Sequence, residues 1–396
     1  MTRGERVKPR FRTLALLATL GLLAGACGGD DADTTAATEE AAATEATEAT
    51  EPATEATEAT EPETTAPAET TEATEAPVEG ITVGLVYDIG GRGDLSFNDS
   101  AAAGLDQAIA DLGIVPQEFE PDQGGENREE LLRLASDEGY PLNFAVGFLF
   151  TDAVTAVSAE YPDIHYGLID GFIEGLTEDS NVRCMLFAEE QGSFLVGVAA
   201  ALKSTAGHIG FIGGVEIDLI KKFEAGYVAG ATAVNPDITI DIAYLTQPPD
   251  FSGFGDAAKG KEAALGMYDN GADVVYHAAG GSGGGLFEAA KEVSESSGTP
   301  VWAIGVDSDQ YNTVSADLQP YILTSMLKNV NVAVFNTISD EVDGSFTGGY
   351  VTYDLSVDGV GYSSSGGFVD DIADQLEDFK AQIVDGTIVV PTAPEA

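Results

Sequence analysis

Cysteine is nearly missing from this chain: Cys27 and Cys184 are the two in 396 residues. Two thiols cannot build a disulfide framework, so a folded part must rest on a buried apolar core. If Cys27 is modified, Cys184 is left alone between Arg183 and Met185, most simply as a buried core residue. Histidine is scarce as well. His165, His208 and His277 stand isolated, without His or Cys partners at ligand spacing, and offer no metal site. Positive charge is the third shortage, with 17 Lys and Arg against 67 Asp and Glu and a formal net charge of −50. So acidic a chain repels nucleic acid and anionic lipid at long range. Catalytic signatures are lacking too: there is no Gly-x-Ser-x-Gly elbow and no Ser/His pair close in sequence. Residues 255–261 approach a P-loop, but Glu262 replaces the Ser or Thr that would hold Mg²⁺, and no strand immediately precedes. Nothing positive supports an enzyme, and no cofactor is expected.

What is present begins with an export signal. Arg3, Arg6, Lys8, Arg10 and Arg12 form a basic region, and Leu14 to Leu23 an apolar run too short to span a bilayer. Ala24-Gly25-Ala26-Cys27 then resembles a bacterial lipoprotein box, with Cys27 the residue to be lipidated; plain secretory cleavage nearby is the simpler alternative. Residues 28–79 repeat Ala-Thr-Glu with scattered Pro, carry 16 acids and contain no base. Self-repulsion and the lack of large apolar residues predict an extended, disordered tether. Past it, 50 acidic and 12 basic residues remain. Most of those acids must be solvated surface, which suggests a salty habitat where screening relieves the repulsion.

From residue 80 strand and helix signals alternate. Strands are predicted at 81–87, 115–120, 142–146, 165–169 and 182–187, with helices between, including 127–138 and 152–160. A second series starts at Gly207: strands at 208–212, 238–245, 274–277 and 301–305, with Gly213-Gly214 turning the chain and helices at 219–234, 256–269 and from Leu286. Strand candidates at 321–327 and 349–353 flank a helix at 331–342. Two βα series in about 320 residues predict an α/β protein of two lobes, each a parallel sheet flanked by helices.

The first strand, with the loop and helix after it, is the stretch that organises the chain. An apolar, β-branched run ends in Asp88-Ile89-Gly90-Gly91-Arg92-Gly93-Asp94-Leu95, a Gly-rich loop, and then Ser96-Phe97-Asn98-Asp99-Ser100 opens a helix that Ser96 can cap. Ligands of open parallel sheets sit beyond the carboxyl ends of strands, in loops of this kind. Phe97 puts a flat face between polar neighbours, suited to a planar heterocycle; its spacing also fits a core residue or a hydrophobic staple.

Asp88, Gly90, Gly91 and the run Ser96-Phe97-Asn98 resemble the opening of the basic membrane protein (BMP/PnrA-like) family, and the resemblance extends over roughly residues 80–345. It implies a two-lobed periplasmic-binding-protein type I fold and a lipid-anchored, extracytoplasmic substrate-binding protein of an ABC transporter, often for a purine nucleoside. The domains implied are 1–26 signal, 27–79 tether, 80–185 with 320–345 as lobe 1, and 186–319 with 346–396 as lobe 2. Asp307, at a strand end in Gly305-Val306-Asp307-Ser308-Asp309, looks like the family's ribose-binding Asp; otherwise it is a cap or a solvated loop acid. Lys328, placed at a helix start where a cation is unfavourable, matches a sugar-contacting Lys. Tyr276 resembles the family's second aromatic, facing Phe97 across the cleft, and Gly280-Gly281 come after it as a loop that a ligand can approach closely. Asn98 and Asp170 would read the base edge. Asp88 and the segment Phe148-Leu149-Phe150-Thr151-Asp152, with Phe150 and Asp152, are weaker cleft candidates. Phe223 and Tyr227 have core spacing and are expected to pack. The partners implied are a small-molecule ligand, an ABC permease and, through the anchor, the cell membrane. A sensing or adhesion lipoprotein on the same fold is the rival, Arg92-Gly93-Asp94 being adhesion-like by chance frequency alone; a sugar or vitamin is the rival ligand.

Overall fold

Short apolar runs such as Thr82–Val86, buried from Val83 onward, form strands that only a two-sided sheet can cover. A computed structural model describes residues 80–394 apart from Gln123. The export signal, Cys27 with its lipidation and the tether up to residue 79 lie outside the described residues.

In chain order the first lobe has β1 (Thr82–Val86), α1 (Phe97–Leu112), β2 (Val115–Phe119), α2 (Arg128–Asp137), β3 (Leu142–Val146), α3 (Thr151–Glu160), β4 (His165–Ile169) and β5 (Val182–Phe187). The second has α4 (Glu189–Lys203), β6 (His208–Val215), α5 (Asp218–Val234), β7 (Thr239–Thr246), α6 (Ala257–Asn270), β8 (Val274–Ala278), α7 (Gly283–Ser297), β9 (Trp302–Asp307), a short α8 (Gln310–Thr313) and β10 (Ile322–Lys328). Then come α9 (Val330–Val342), β11 (Gly349–Tyr353), β12 (Val360–Tyr362) and α10 (Ala373–Val384). The sheet orders are β2-β1-β3-β4-β5-β11 and β7-β6-β8-β9-β10-β12, the same winding twice. All strand pairs are parallel except β10 with β12. Central strands β3 and β8 are buried along their whole length, whereas β2 at one edge is largely exposed.

Sheet membership corrects the expected lobe boundaries. Residues 322–328 are an apolar strand beside β9, with Leu327 opposite Asp307, and so belong to the second sheet rather than the first. The chain crosses only after Lys328, when α9 packs on α1 and the Asn331 amide donates to Ser100 Oγ at 3.3 Å. Residues 349–353 then pair with β5 in the first sheet, Tyr350 opposite Cys184, instead of joining the second lobe. Three segments therefore cross, at 187–189, 328–330 and 353–360. They hold one another: the Ala188 amide donates to Tyr353 O at 3.0 Å and the Asn329 amide to Gly359 O at 2.9 Å.

Gly213-Gly214 does not turn the chain; β6 runs through it to Val215. The residues are small for another reason. A Cβ on Gly214 would stand 2.6 Å from Phe254 Cδ1, so glycine lets that ring lie against the strand.

Candidate functional site

Both sheets aim their carboxyl ends at one cavity of about 80 Å³ that is lined from both lobes. The first lobe supplies Asp88, Asp94, Phe97, Asn98, Phe148 and Asp170; the second supplies Phe223, Phe254, Gly280, Asp307 and Lys328.

The loop from Asp88 to Phe97 is held by side chains that turn inward. Asp94, not Ser96, caps α1: its carboxylate accepts from the amides of Ser96 (2.9 Å), Asn98 (2.9 Å) and Asp99 (3.1 Å). This also removes the adhesion-like reading of residues 92–94, because the half-buried acid is bonded into the cap while Arg92 pairs with Asp106 and Glu118 on its own lobe. Asn98 lines the cavity, but its amide is consumed. Oδ1 accepts from the Asp88 amide at 3.0 Å, and Nδ2 donates to Ile89 O at 3.2 Å and Asp94 Oδ2 at 3.0 Å. It shapes the loop, with both Nδ2 hydrogens used and one acceptor site of Oδ1 taken. Asp88 keeps one oxygen for Arg128 and the Ile89 amide. Among the described residues no hydrogen bond reaches its other oxygen, Oδ2.

Lys328 ends β10, directly at the crossing, rather than starting a helix. Its ammonium is buried and bonded to Asp170 Oδ2 at 2.6 Å, with Glu189 Oε1 at 3.3 Å. The rings of Phe187, Phe97 and Phe223 surround it, with centroids 4.9, 5.1 and 5.7 Å away. Burial alone would lower the lysine's pKa; the fields of Asp170, Glu189 and Asp307 outweigh it and hold the pKa above the ordinary value. Burial raises Asp170, against the pull of Lys328. Asp307 is pushed up to about 7 by burial, opposed by Lys328 and by the Ser96 hydroxyl.

Asp170 and Asp307 share a further property. Each has φ of 63°, a left-handed backbone at the end of the corresponding strand of its sheet. Such a conformation is uncommon for a residue with a Cβ and clusters at functional sites. Asp307 Oδ2 accepts from Ser96 Oγ across the cleft at 2.6 Å. Asp170 Oδ1 is buried with no partner among the described residues.

The aromatic wall differs from expectation. Tyr276 does not face Phe97. Its ring is fully buried between Phe211 and Tyr227, and its hydroxyl lies 3.2 Å from Ser193 Oγ. In β8 residues 274, 276 and 278 share one face, and that face looks onto the helix layer beneath the sheet. Phe254, after β7, and Phe223, on α5, reach the cavity instead; α5's core spacing concealed the second. Phe148, not Phe150, lines the first-lobe side. Phe150 packs in the core with Arg128 over its ring, and Asp152 is exposed on α3 outside the cavity. Gly280 lines the cavity with φ of 54°; Gly281 stands behind it, outside the lining. The signal for Phe254 was its place between Gly253 and Gly255 after a strand. Asp94 and Glu189 carried no signal, since in sequence they look like solvated acids.

Two equally wound sheets, three crossing segments and a cavity between carboxyl ends define a two-lobed solute-binding protein of the periplasmic type. Comparison with known proteins agrees. The description ABC transporter substrate-binding protein PnrA-like matches residues 81–393, and the chain belongs to that family. It is 36% identical over 320 residues to the ABC transporter nucleoside-binding protein BmpA of Lactococcus lactis subsp. cremoris, spanning 78% of this chain and 88% of that one. It is 35% identical over 325 residues to the CD4+ T-cell-stimulating antigen of Listeria monocytogenes, spanning 79% and 88%. A crystal structure of an ABC transporter solute-binding protein from Aeropyrum pernix K1 superposes with a TM-score of 0.69 at 30% identity, covering 80% of this chain and 94% of that one.

Proposed function

We propose that the chain is a lipid-anchored, extracytoplasmic binding protein that captures a purine nucleoside between its lobes and delivers it to an ABC permease. The observation that carries the ligand is the pairing of flat walls with free carboxylate oxygens. Phe97 and Phe254 line one cavity from opposite lobes, with Phe223 beside them, and suit a stacked base worth about 1–3 kcal/mol per ring. Asp307 has one oxygen on Ser96 and, among the described residues, none on the other. That free oxygen, beside the Lys328 ammonium, suits a ribose diol. Asp170 Oδ1 suits a further hydroxyl at the same end. Asp88 stands two residues past the end of β1, which lies two strand spacings from β4, roughly 10 Å away. Its unpartnered oxygen suits an N–H on the base edge, beside Asn98.

Closure of the lobes would bury the ligand and present the loaded form to the permease. Calorimetry with inosine, guanosine, adenosine, free bases, sugars and vitamins tests the reading. Binding of nucleosides alone supports it. No response to any nucleoside, with clear binding of a sugar or vitamin, removes it.

A further inference from the structure

Gln310 opens α8, buried in the second lobe and outside the cavity lining, yet its side chain reaches the first lobe. Its Oε1 accepts from the Val306 amide at 2.8 Å and lies 3.0 Å from His277 Nε2. Burial lowers the His277 pKa to about 4, so the ring is neutral near pH 7 and its Nε2–H is the donor to that oxygen. The ring fits because Gly283 has no side chain; a Cβ there would stand 1.9 Å from His277 Cε1. Two donors on Oε1 fix which way the amide faces. Nε2 must then point outward, and it donates to Leu95 O at 2.9 Å, across the cleft.

Leu95 is itself held at φ of 57°, one residue before Ser96. Two more bonds cross at the same place. Ser308 Oγ donates to Ser96 O at 3.0 Å, and Ser96 Oγ donates to Asp307 Oδ2 at 2.6 Å. The acceptors on Leu95 and Ser96 sit between the Asp94 cap and Phe97, the start of the ligand wall. A bond made here exists only while the lobes are together.

We propose that Gln310 is a positioning residue that latches the closed cleft: it sets how long a ligand stays without touching it. Its inner oxygen belongs to the fold of the second lobe, and its outer nitrogen belongs to closure. Gln310→Glu separates the two roles. It keeps an acceptor for Val306 and His277 and replaces the outward donor by an oxygen facing Leu95 O. Ser308→Ala removes the neighbouring bond and leaves Gln310 intact.

The probe is inosine, which rests on the nucleoside reading above. Stopped-flow binding to the full chain should show Gln310→Glu releasing inosine roughly ten- to a hundredfold faster, with association nearly unchanged. Ser308→Ala should show a smaller effect of the same kind. Melting of the ligand-free variants should fall by less than melting of the ligand-bound ones, and small-angle scattering should give Gln310→Glu the larger radius of gyration. Equal release rates, or ligand-free melting lowered as much as ligand-bound melting, overturn the latch. If the native chain binds no inosine, the nucleoside reading fails and scattering decides the latch: a larger radius in Gln310→Glu supports it, and equal radii overturn it.

Discussion

The two lobes repeat one winding, and each brings an aspartate with the same left-handed backbone to the end of its fourth strand in chain order. Their surroundings separate them. Asp170 is bonded to the buried ammonium of Lys328, contributed by the other lobe. Asp307 accepts one hydroxyl, from Ser96, and its pKa rises to about 7. Each acid spends one oxygen on the opposite lobe, Asp170 on a buried ammonium at the crossing and Asp307 on a neutral hydroxyl at the cleft, so the first is tied into the fold by charge and the second is not. One backbone device, used twice, yields a strut and a receptor because a single lysine lies against one copy and only near the other.

The comparison breaks most visibly in stability. Asp170→Asn leaves Lys328 with Glu189 alone in a buried setting and should cost about 3 kcal/mol in urea or thermal unfolding. Asp307→Asn should cost little or nothing. Equal losses would mean that both acids are struts.

Binding should rank them the other way. Asp307→Ala should weaken inosine by about a hundredfold or more in calorimetry while melting stays native-like, because charge-assisted bonds to the diol are lost. Unchanged affinity would show that the sugar is misplaced.

The aromatics sharpen the same contrast between cavity and core. Phe254→Ala should lose about 1–3 kcal/mol of binding. Tyr276→Phe should lose about 1 kcal/mol of stability through its Ser193 bond and leave affinity untouched. A drop in affinity for Tyr276→Phe would restore the tyrosine to the site.

Protons give a smaller signal. A carboxyl raised to about 7 in the fold binds a proton there that the unfolded chain has released, so its stabilising contribution is present below about pH 4 and lost as pH rises through 7. Ligand hydroxyls need the ionised form. Inosine affinity should therefore fall as pH drops below 7, by up to about tenfold per unit, and Asp307→Asn should flatten both dependences. A flat native profile between pH 6 and 8 would remove the shift.

The mildest test treats both lobes alike. All 12 basic residues after the tether are ion-paired, so the surplus of acids is left to repel itself. Thermal midpoints should climb modestly with NaCl as that repulsion is screened. No gain with salt would exclude adaptation to a salty habitat.

Much of the fold was legible because strands such as 142–146, 165–169 and 182–187 are continuous apolar runs between turn residues, and period alone places them. Phe97, Asp170, Asp307 and Lys328 were legible as residues at strand or helix ends, and they do converge on one cavity. What failed has one cause. Whether Tyr276 or Phe254 reaches the cleft depends on which face of a strand or turn looks outward, and a strand buried on both faces carries no polar alternation to reveal it. The assignment of 322–328 to a lobe failed likewise, since an apolar strand fits either sheet until its neighbour is known.

By itself, then, the order of residues determined two βα series, an acidic surface and the set of polar groups at strand ends, because these arise from local period and composition. Tertiary structure alone decided which carboxylate meets the ammonium, which ring faces the cavity and where the chain crosses. Those outcomes depend on contacts between segments more than a hundred residues apart, such as Asp170 with Lys328, and no local pattern encodes such a distance.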